Sequence, residues 1–279
     1  MRRRRDMLLG ATAAVVGAGS LSAPAIAQGI RELKLVTDWQ EGLAGLDTGA
    51  QRLARSITAM SDGRLKVTVY PSGSLVRPLE TFDAVAAGVA DMYHSFDPYF
   101  EDKSPALYFF GTVPFGMTAD ELCSWIDFGG GQALWYEVDA QFNIKALMAT
   151  QTGVQMGGWF NKEINGPEDY KGLRYRMPGL GAEVLRRMGA TVVTVPAVDI
   201  VKAFKSGAID GAEWIGPWPD IDLGLDKVAD YYYHPGFHEP GTNLTLGINK
   251  TLWDGLTDSE RALYRCRSTG RGHPLARPI

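Results

Sequence analysis

Leu33-Lys34-Leu35-Val36-Thr37 alternates apolar and polar positions with the period of two of a half-buried strand. From Leu43 to Met60 the period changes. Leu46, Ala50, Leu53, Ile57 and Met60 fall on one side of a helix, which Ser61-Asp62-Gly63 should end. Leu65 to Tyr70 alternates again and stops at Pro71. Pro78 to Ala87 reads as a short helix ended by Gly88, and Ala90 to Ser95 as a strand. The rhythm returns later: strand over Leu173 to Arg176, helix over Gly181 to Met188, strand over Thr191 to Val195, helix over Val198 to Lys205 ended by Gly207, strand over Ile209 to Trp214. Strands alternating with helices predict parallel pairing with helices on the sheet faces. Two such blocks, split by a less regular 97–150 region, predict an α/β chain of two lobes. A cleft between lobes is the usual seat of a small ligand.

The first residues follow another pattern. Arg2 to Arg5 form a basic cluster, an apolar small-residue stretch runs from Met7 to about Leu21, and Ala25-Ile26-Ala27 supplies an A-x-A site. That order is a secretory signal, with cleavage after Ala27. Its apolar run is too short and too rich in Gly and Ala to span a bilayer. Arg4-Arg5, followed after Asp6 by Met7-Leu8, reads as a twin-arginine signal, the route for folded cargo, or else as an ordinary Sec signal with a heavy basic end. Cleavage removes four arginines and Asp6, leaving 24 basic against 31 acidic residues, a net charge of −7. An acidic chain without a basic run argues against nucleic-acid binding. Local charge still decides whether a small anion binds. No later segment approaches the roughly 18 apolar residues of a membrane helix. Cys123 and Cys266 are two isolated cysteines and are expected to stay unbridged.

Common catalytic signatures are missing: there is no H-E-x-x-H, no G-x-S-x-G and no Walker loop. Gly179-Leu180-Gly181 continues to Val184 where a dinucleotide fingerprint needs glycine, and His94, His234, His238 and His273 lack metal-ligand spacing. The information lies in three stretches between Gln155 and Gly241: KGLRYRMPGLG at 171–181, SGAIDGAEWIGPW at 206–218 and YYYHPGFHEPG at 231–241. In the first, Leu173, Tyr175 and Met177 share one strand face, Arg174 and Arg176 the other. Arg176 stands at a strand end where a helix begins. There its planar fork suits a carboxylate and the helix N-terminus favours an anion, although a surface arginine paired with an acid has the same sequence. Glu213 reads either as a hard-oxygen ligand for a cation or as a solvated acid. Trp214 and Trp218 read as pocket walls or as core. His238 has the reach for a ligand oxygen, or a structural role.

Together and in this order, the three stretches resemble the solute-binding proteins of TRAP (tripartite ATP-independent periplasmic) transporters, the DctP family, and most of all the subgroup that binds 2-oxo acids such as pyruvate. The resemblance covers roughly residues 32–264. It implies a periplasmic-binding-protein-like fold of two α/β lobes closing over a monocarboxylate, with lobe I at 28–153 plus about 240–264 and lobe II at 154–239. It implies that Arg176 clamps the ligand carboxylate, and that Gln155, Glu213 and the Trp214 carbonyl hold a sodium or calcium ion bridging to the substrate. Gln155, Trp214 and His238 join Arg176 as expected ligand contacts. The implied partners are a small organic acid and the membrane subunits of the transporter. An exported enzyme acting on an organic acid and a sensory binding protein are the alternative readings.

The family continues past residue 279 through helices that brace the lobes and that, in some members, exchange across a homodimer. Here the helical pattern from Thr257 to Tyr264 gives way at Arg265 to a basic tail with two glycines and two prolines. A shifted reading frame near Arg265, with the C-terminal helices missing and dimerisation by exchange lost, is the expectation, and a functional basic tail the weaker alternative.

Overall fold

The structure is a computed structural model and describes residues 29–268. The expected secretory signal at 1–27 and residues 269–279 of the expected basic tail lie outside the described residues, as does the side chain of Cys266. Cys123 is a free thiol.

The chain opens with β1 (Arg31–Thr37), α1 (Asp47–Met60), β2 (Leu65–Tyr70), α2 (Thr81–Ala86) and β3 (Met92–Ser95). It continues through α3 (Tyr108–Gly111), α4 (Ala119–Phe128), α5 (Gly131–Ala140) and β4 (Ile144–Gln151). A second block holds β5 (Gly158–Phe160), β6 (Arg174–Arg176), α6 (Gly179–Arg187), β7 (Thr191–Val193), α7 (Ala197–Lys205), β8 (Gly211–Ala212), α8 (Pro217–Leu223) and β9 (Tyr231–Tyr233). Then β10 (Asn243–Asn249), α9 (Lys250–Asp254) and α10 (Asp258–Ser268) return to the first block. The strands form two five-stranded sheets, ordered β2-β1-β3-β10-β4 and β7-β6-β8-β5-β9. In each, three parallel strands follow the expected βαβ rhythm: β2, β1 and β3 in the first, β7, β6 and β8 in the second. The remaining strands run antiparallel, β10 between β3 and β4, and β5 between β8 and β9.

Alternation along β1 sends Leu33 and Leu35 to one face, where they meet Ala50, Leu53 and Ile57 of α1, and Val36 to the other, among Phe82, Tyr93 and Trp135. Helix α1 begins at Asp47, four residues later than the periodicity predicts, because Gly42 and Gly45 sit at positive φ and turn the chain first. The 97–150 region is more regular than its sequence reads. Thr118 and Glu121 form a reciprocal capping box at the start of α4, but Gly129-Gly130 breaks the period between α4 and α5. The strand expected over Ile209 to Trp214 shrinks to Gly211–Ala212. Helix α10 runs on to Ser268 and does not stop at Arg265.

Two crossings between the sheets position the site. Residues 152–157 leave the first sheet and 233–242 return to it, hydrogen-bonded to each other. Thr152 N donates to Thr242 O at 3.0 Å, Gln155 N to Glu239 O at 3.0 Å, Gly157 N to Tyr233 O at 2.7 Å and Gly236 N to Gln155 O at 3.2 Å. A shared apolar cluster joins Trp39, Leu43, Leu46 and Phe96 from the first block to Trp159, Ile200, Phe204 and Trp214 from the second. Among the described residues no helix is long and apolar enough to cross a membrane.

Candidate functional site

Period-two alternation along β6 separates two arginines. Arg174 faces solvent, where its Nε and Nη2 donate to Asp210. Arg176 points inward and is 1% exposed. Its Nε donates to the Val195 carbonyl at 3.1 Å, Nη1 to the Glu213 carboxylate and at 3.3 Å to the Glu213 carbonyl, and Nη2 to the Tyr99 hydroxyl at 3.0 Å. A guanidinium has five N–H donors in a fixed plane. Four are taken by these groups, and among the described residues the fifth, on Nη2, has no acceptor. The Trp214 ring lies 5.1 Å from the guanidinium carbon, within cation–π range. Such a buried cation is tolerable because Glu213, equally buried, neutralises it.

Glu213 follows β8, whose backbone is tied to β6 by a bond from Glu213 N to Arg176 O at 3.2 Å. Its second carboxylate oxygen lies 3.5 Å from His238 Nε2, beyond the usual length of a hydrogen bond. Burial disfavours the imidazolium of His238, but the Glu213 and Glu239 carboxylates near it together outweigh burial and move its pKa up. Glu239, next in sequence, is also buried. Burial and the charge of Glu213 push it up to about 7. Glu213, His238 and Glu239 each offer a ligand atom, and these atoms lie within 4.8 Å of one another. Gln155 completes the group from the opposite crossing segment. Its Nε2 donates to Glu239 Oε2 at 2.5 Å, to Thr152 Oγ1 at 3.2 Å and to Thr242 Oγ1 at 3.3 Å, whereas its Oε1 is buried without a partner. Trp39, Leu46, Phe96, Tyr99, Trp214 and Leu244 wall the cavity around Arg176, Gln155, Glu213 and Glu239. Its free space is only about 20 Å³. Burial raises the Tyr99 hydroxyl to about 12, so it stays a neutral partner of Arg176.

The residues from 45 to 266 match the family model described as bacterial extracellular solute-binding protein, family 7 (DctP). The chain belongs to this family. It is 39% identical, over 91% of its length and 70% of the relative's, to the monocarboxylate 2-oxoacid-binding periplasmic protein of Nostoc sp.. Among solved structures, a TRAP periplasmic solute-binding protein from Pseudoalteromonas atlantica with bound sodium and pyruvate superposes with a TM-score of 0.81. It shares 37% identity, covering 84% of this chain and 71% of that one. A counterpart from Colwellia psychrerythraea with bound calcium and pyruvate gives 0.80 at 35% identity, covering 86% of this chain and 75% of that one. These likenesses bear out the α/β two-lobe fold and the DctP family resemblance drawn from the three sequence stretches.

This DctP-family chain brings Arg176, Gln155, Glu213 and Trp214 into one cavity. His238 stands behind Glu213 and does not line the cavity. Trp218 is 60% exposed and walls a neighbouring cleft over Gly45. The residues suit a hard cation: a buried amide oxygen lacks a partner, and a carboxylate cluster stands beside it. Tyr99, Thr152, Thr242 and Glu239 escaped the sequence reading. Glu239 had a signal, since it falls inside the HEPG run beside His238. Tyr99 had none, lying in the region that reads as irregular. A larger apolar cavity of about 710 Å³, lined by Phe109, Met117, Trp125 and Leu134 among others, lies apart and holds none of the site residues.

Proposed function

We propose that the chain is the solute-binding subunit of a TRAP transporter and captures a 2-oxo or 2-hydroxy monocarboxylate, of the size of pyruvate, together with a sodium or calcium ion. The observation that carries this reading is that buried Arg176, with one N–H unused, and Gln155, with an unpartnered oxygen, line the same cavity. Arg176 binds the substrate carboxylate through its fork. Gln155 Oε1, the Glu213 carboxylate and the Trp214 carbonyl hold the cation. When bound, that cation would supply a hard positive charge that a carboxylate and its adjacent 2-oxo or 2-hydroxy oxygen can satisfy. Trp39, Phe96 and Trp214 keep water from the captured acid.

In this reading the chain is a carrier and turns nothing over. Residues 1–27 export it to the periplasm and are cleaved after Ala27. Lobe I is 28–153 with about 240–264, and lobe II is 154–239. The lobes close on the acid, and the closed form docks on the membrane subunits. A homodimer is not required.

The test is a thermal melt of the mature chain with pyruvate, lactate, succinate and sialic acid, each with sodium, calcium or a chelator. Ligand at a hundred times its dissociation constant adds about 2.7 kcal/mol to stability. Pyruvate with a cation is expected to raise the melting temperature, the chelator to abolish the rise, and Arg176→Lys to lose it while still melting cooperatively. A cooperative wild-type melt that no acid shifts overturns the substrate class. Product formation from pyruvate overturns the carrier reading.

A further inference from the structure

Gln155 is an ambivalent residue to place beside a cation. Its amide offers a carbonyl oxygen, which a hard cation takes, and an NH₂ group, which it repels. A half-turn about the last side-chain torsion exchanges the two. Something must hold the oxygen inward, and the neighbours of the nitrogen show what does.

All three acceptors around Gln155 Nε2 lie on one side of the amide: Glu239 Oε2 at 2.5 Å, Thr152 Oγ1 at 3.2 Å and Thr242 Oγ1 at 3.3 Å. Thr152 Oγ1 donates to the Gly153 carbonyl at 3.2 Å and Thr242 Oγ1 to Glu239, so as placed both accept from Gln155, but a hydroxyl can rotate to serve a flipped amide. Glu239 Oε2, which receives the Thr242 hydroxyl proton, can only accept from Gln155. Glu239 therefore decides the orientation, and Thr242 Oγ1, donating to the same Glu239 oxygen at 2.6 Å, fixes that carboxylate in turn. Among the described residues no arginine, lysine or histidine lies within ion-pair distance of Glu239, although it is 3% exposed. A buried carboxylate with no direct ion pair costs stability, and His238 and Arg176 ease that cost only from beyond ion-pair distance. Backbone bonds hold the pair in register: Gln155 N donates to Glu239 O, and Gly236 N to Gln155 O.

We infer that Glu239 is a positioning residue for the cation site: by capturing the amide nitrogen of Gln155 it turns Gln155 Oε1 inward as a ligand, without itself binding the ion. The inference rests on the cation reading above and deepens it.

Calorimetric titration of the purified mature chain with calcium chloride, then with sodium chloride, at saturating pyruvate tests it. Glu239→Leu, which removes the acceptor at similar volume, is expected to weaken calcium binding tenfold or more. Glu239→Gln can accept from Gln155 or, flipped, donate to it, so it no longer imposes the orientation and is expected to fall between wild type and Glu239→Leu. Once Gln155→Ala has removed the ligand oxygen, Glu239→Leu should change the affinity no further. That non-additivity is something a merely structural role would not produce. Wild-type binding that is lost in Gln155→Ala but kept in Glu239→Leu overturns this inference alone. A wild-type chain that binds neither cation overturns the site reading beneath it. A further loss from Glu239→Leu in the Gln155→Ala background makes Glu239 a ligand, and overturns the inference from the other side. A crystal structure of the wild-type chain with calcium and pyruvate decides the matter should the leucine variant not fold. Gln155 Oε1 is expected at about 2.3–2.6 Å from the ion, with Glu239 outside the shell; Glu239 inside it refutes the proposal.

Discussion

Arg176 and Glu213 show why a binding site is costly to keep. Each is buried, each neutralises the other, and a well-packed apolar pair in their place would often be as stable or more so. What the apolar pair cannot do is present a spare N–H to a carboxylate. His94 illustrates a different cost. Its Nδ1 accepts from Trp39 Nε1 at 2.7 Å, so the ring proton sits on Nε2, facing Thr150 Oγ1 at 3.4 Å. Burial alone drives its pKa from 6.5 down to about 4. In the unfolded chain the imidazole takes up its proton below about 6.5. In the folded chain it stays neutral down to about 4, so between these values the unfolded state binds more protons. This contribution is therefore complete above pH 6.5 and is lost as pH falls toward 4, by about 3 kcal/mol. Asp97, raised by burial to about 6, acts in the opposite sense over much of the same range, so wild-type stability alone does not isolate the histidine. The difference from His94→Asn does, since asparagine can still accept from Trp39 but does not titrate. Urea unfolding should show the variant gaining on wild type by up to about 3 kcal/mol between pH 7.5 and 4.5. A constant difference across that range would mean that His94 is already charged in the folded chain.

At the scale of elements, the site belongs to no single strand or helix. Arg176 comes from β6, Glu213 from just past β8, and Gln155 and Glu239 from the two crossing segments. The crossing is tight at Gly236, where an added Cβ would meet the Gln155 carbonyl oxygen at 2.7 Å and the Met156 carbonyl oxygen at 2.8 Å. Backbone yields less readily than a side chain, so Gly236→Ala must push the two segments apart. A loss of about 1–3 kcal/mol in unfolding free energy is expected. So is a fall in the cation-dependent rise of the melting temperature beyond that of Gly247→Ala, whose Cβ would meet the Tyr93 ring and not the site. Equal falls in the two variants would show that the crossing does not set the site's geometry. The parallel cores of both sheets were legible in the chain because period-two and helical patterns there are clean and end at glycine or proline. The antiparallel strands β5, β9 and β10 were not: β10 is buried at all seven positions and shows no alternation, and β5 and β9 are three residues long. Arg176 and Glu213 stood out as charges at strand ends. Their pairing did not, because 37 residues separate them and only the parallel registration of β6 with β8 brings them together.

At the scale of the molecule, the question is what holds the two blocks closed over so little space. The shared apolar cluster is one part, and the bond from Arg176 Nη2 to the Tyr99 hydroxyl is another. Tyr99 follows β3 in the first block and Arg176 lies on β6 in the second, so opening the cleft must break this contact. A ligand favours closure only through contacts that are stronger in the closed form, and any closed-only protein contact adds to them. A hydrogen bond to a charged group contributes about 1.5–3 kcal/mol. Tyr99→Phe deletes this one while keeping the ring that packs against Trp39 and Phe96. The ligand-free variant should then sample the open form more, with a larger radius of gyration in solution scattering. Saturating pyruvate with calcium should restore the wild-type value. Pyruvate affinity should fall about tenfold, mostly as faster dissociation, because affinity changes within one site fall mainly on the off-rate. Unchanged scattering with an unchanged off-rate would place the hinge's balance in the apolar cluster alone. A fall in affinity without any change in shape would instead make the Tyr99 hydroxyl a support for the guanidinium plane, acting inside a cleft that is closed with or without its ligand.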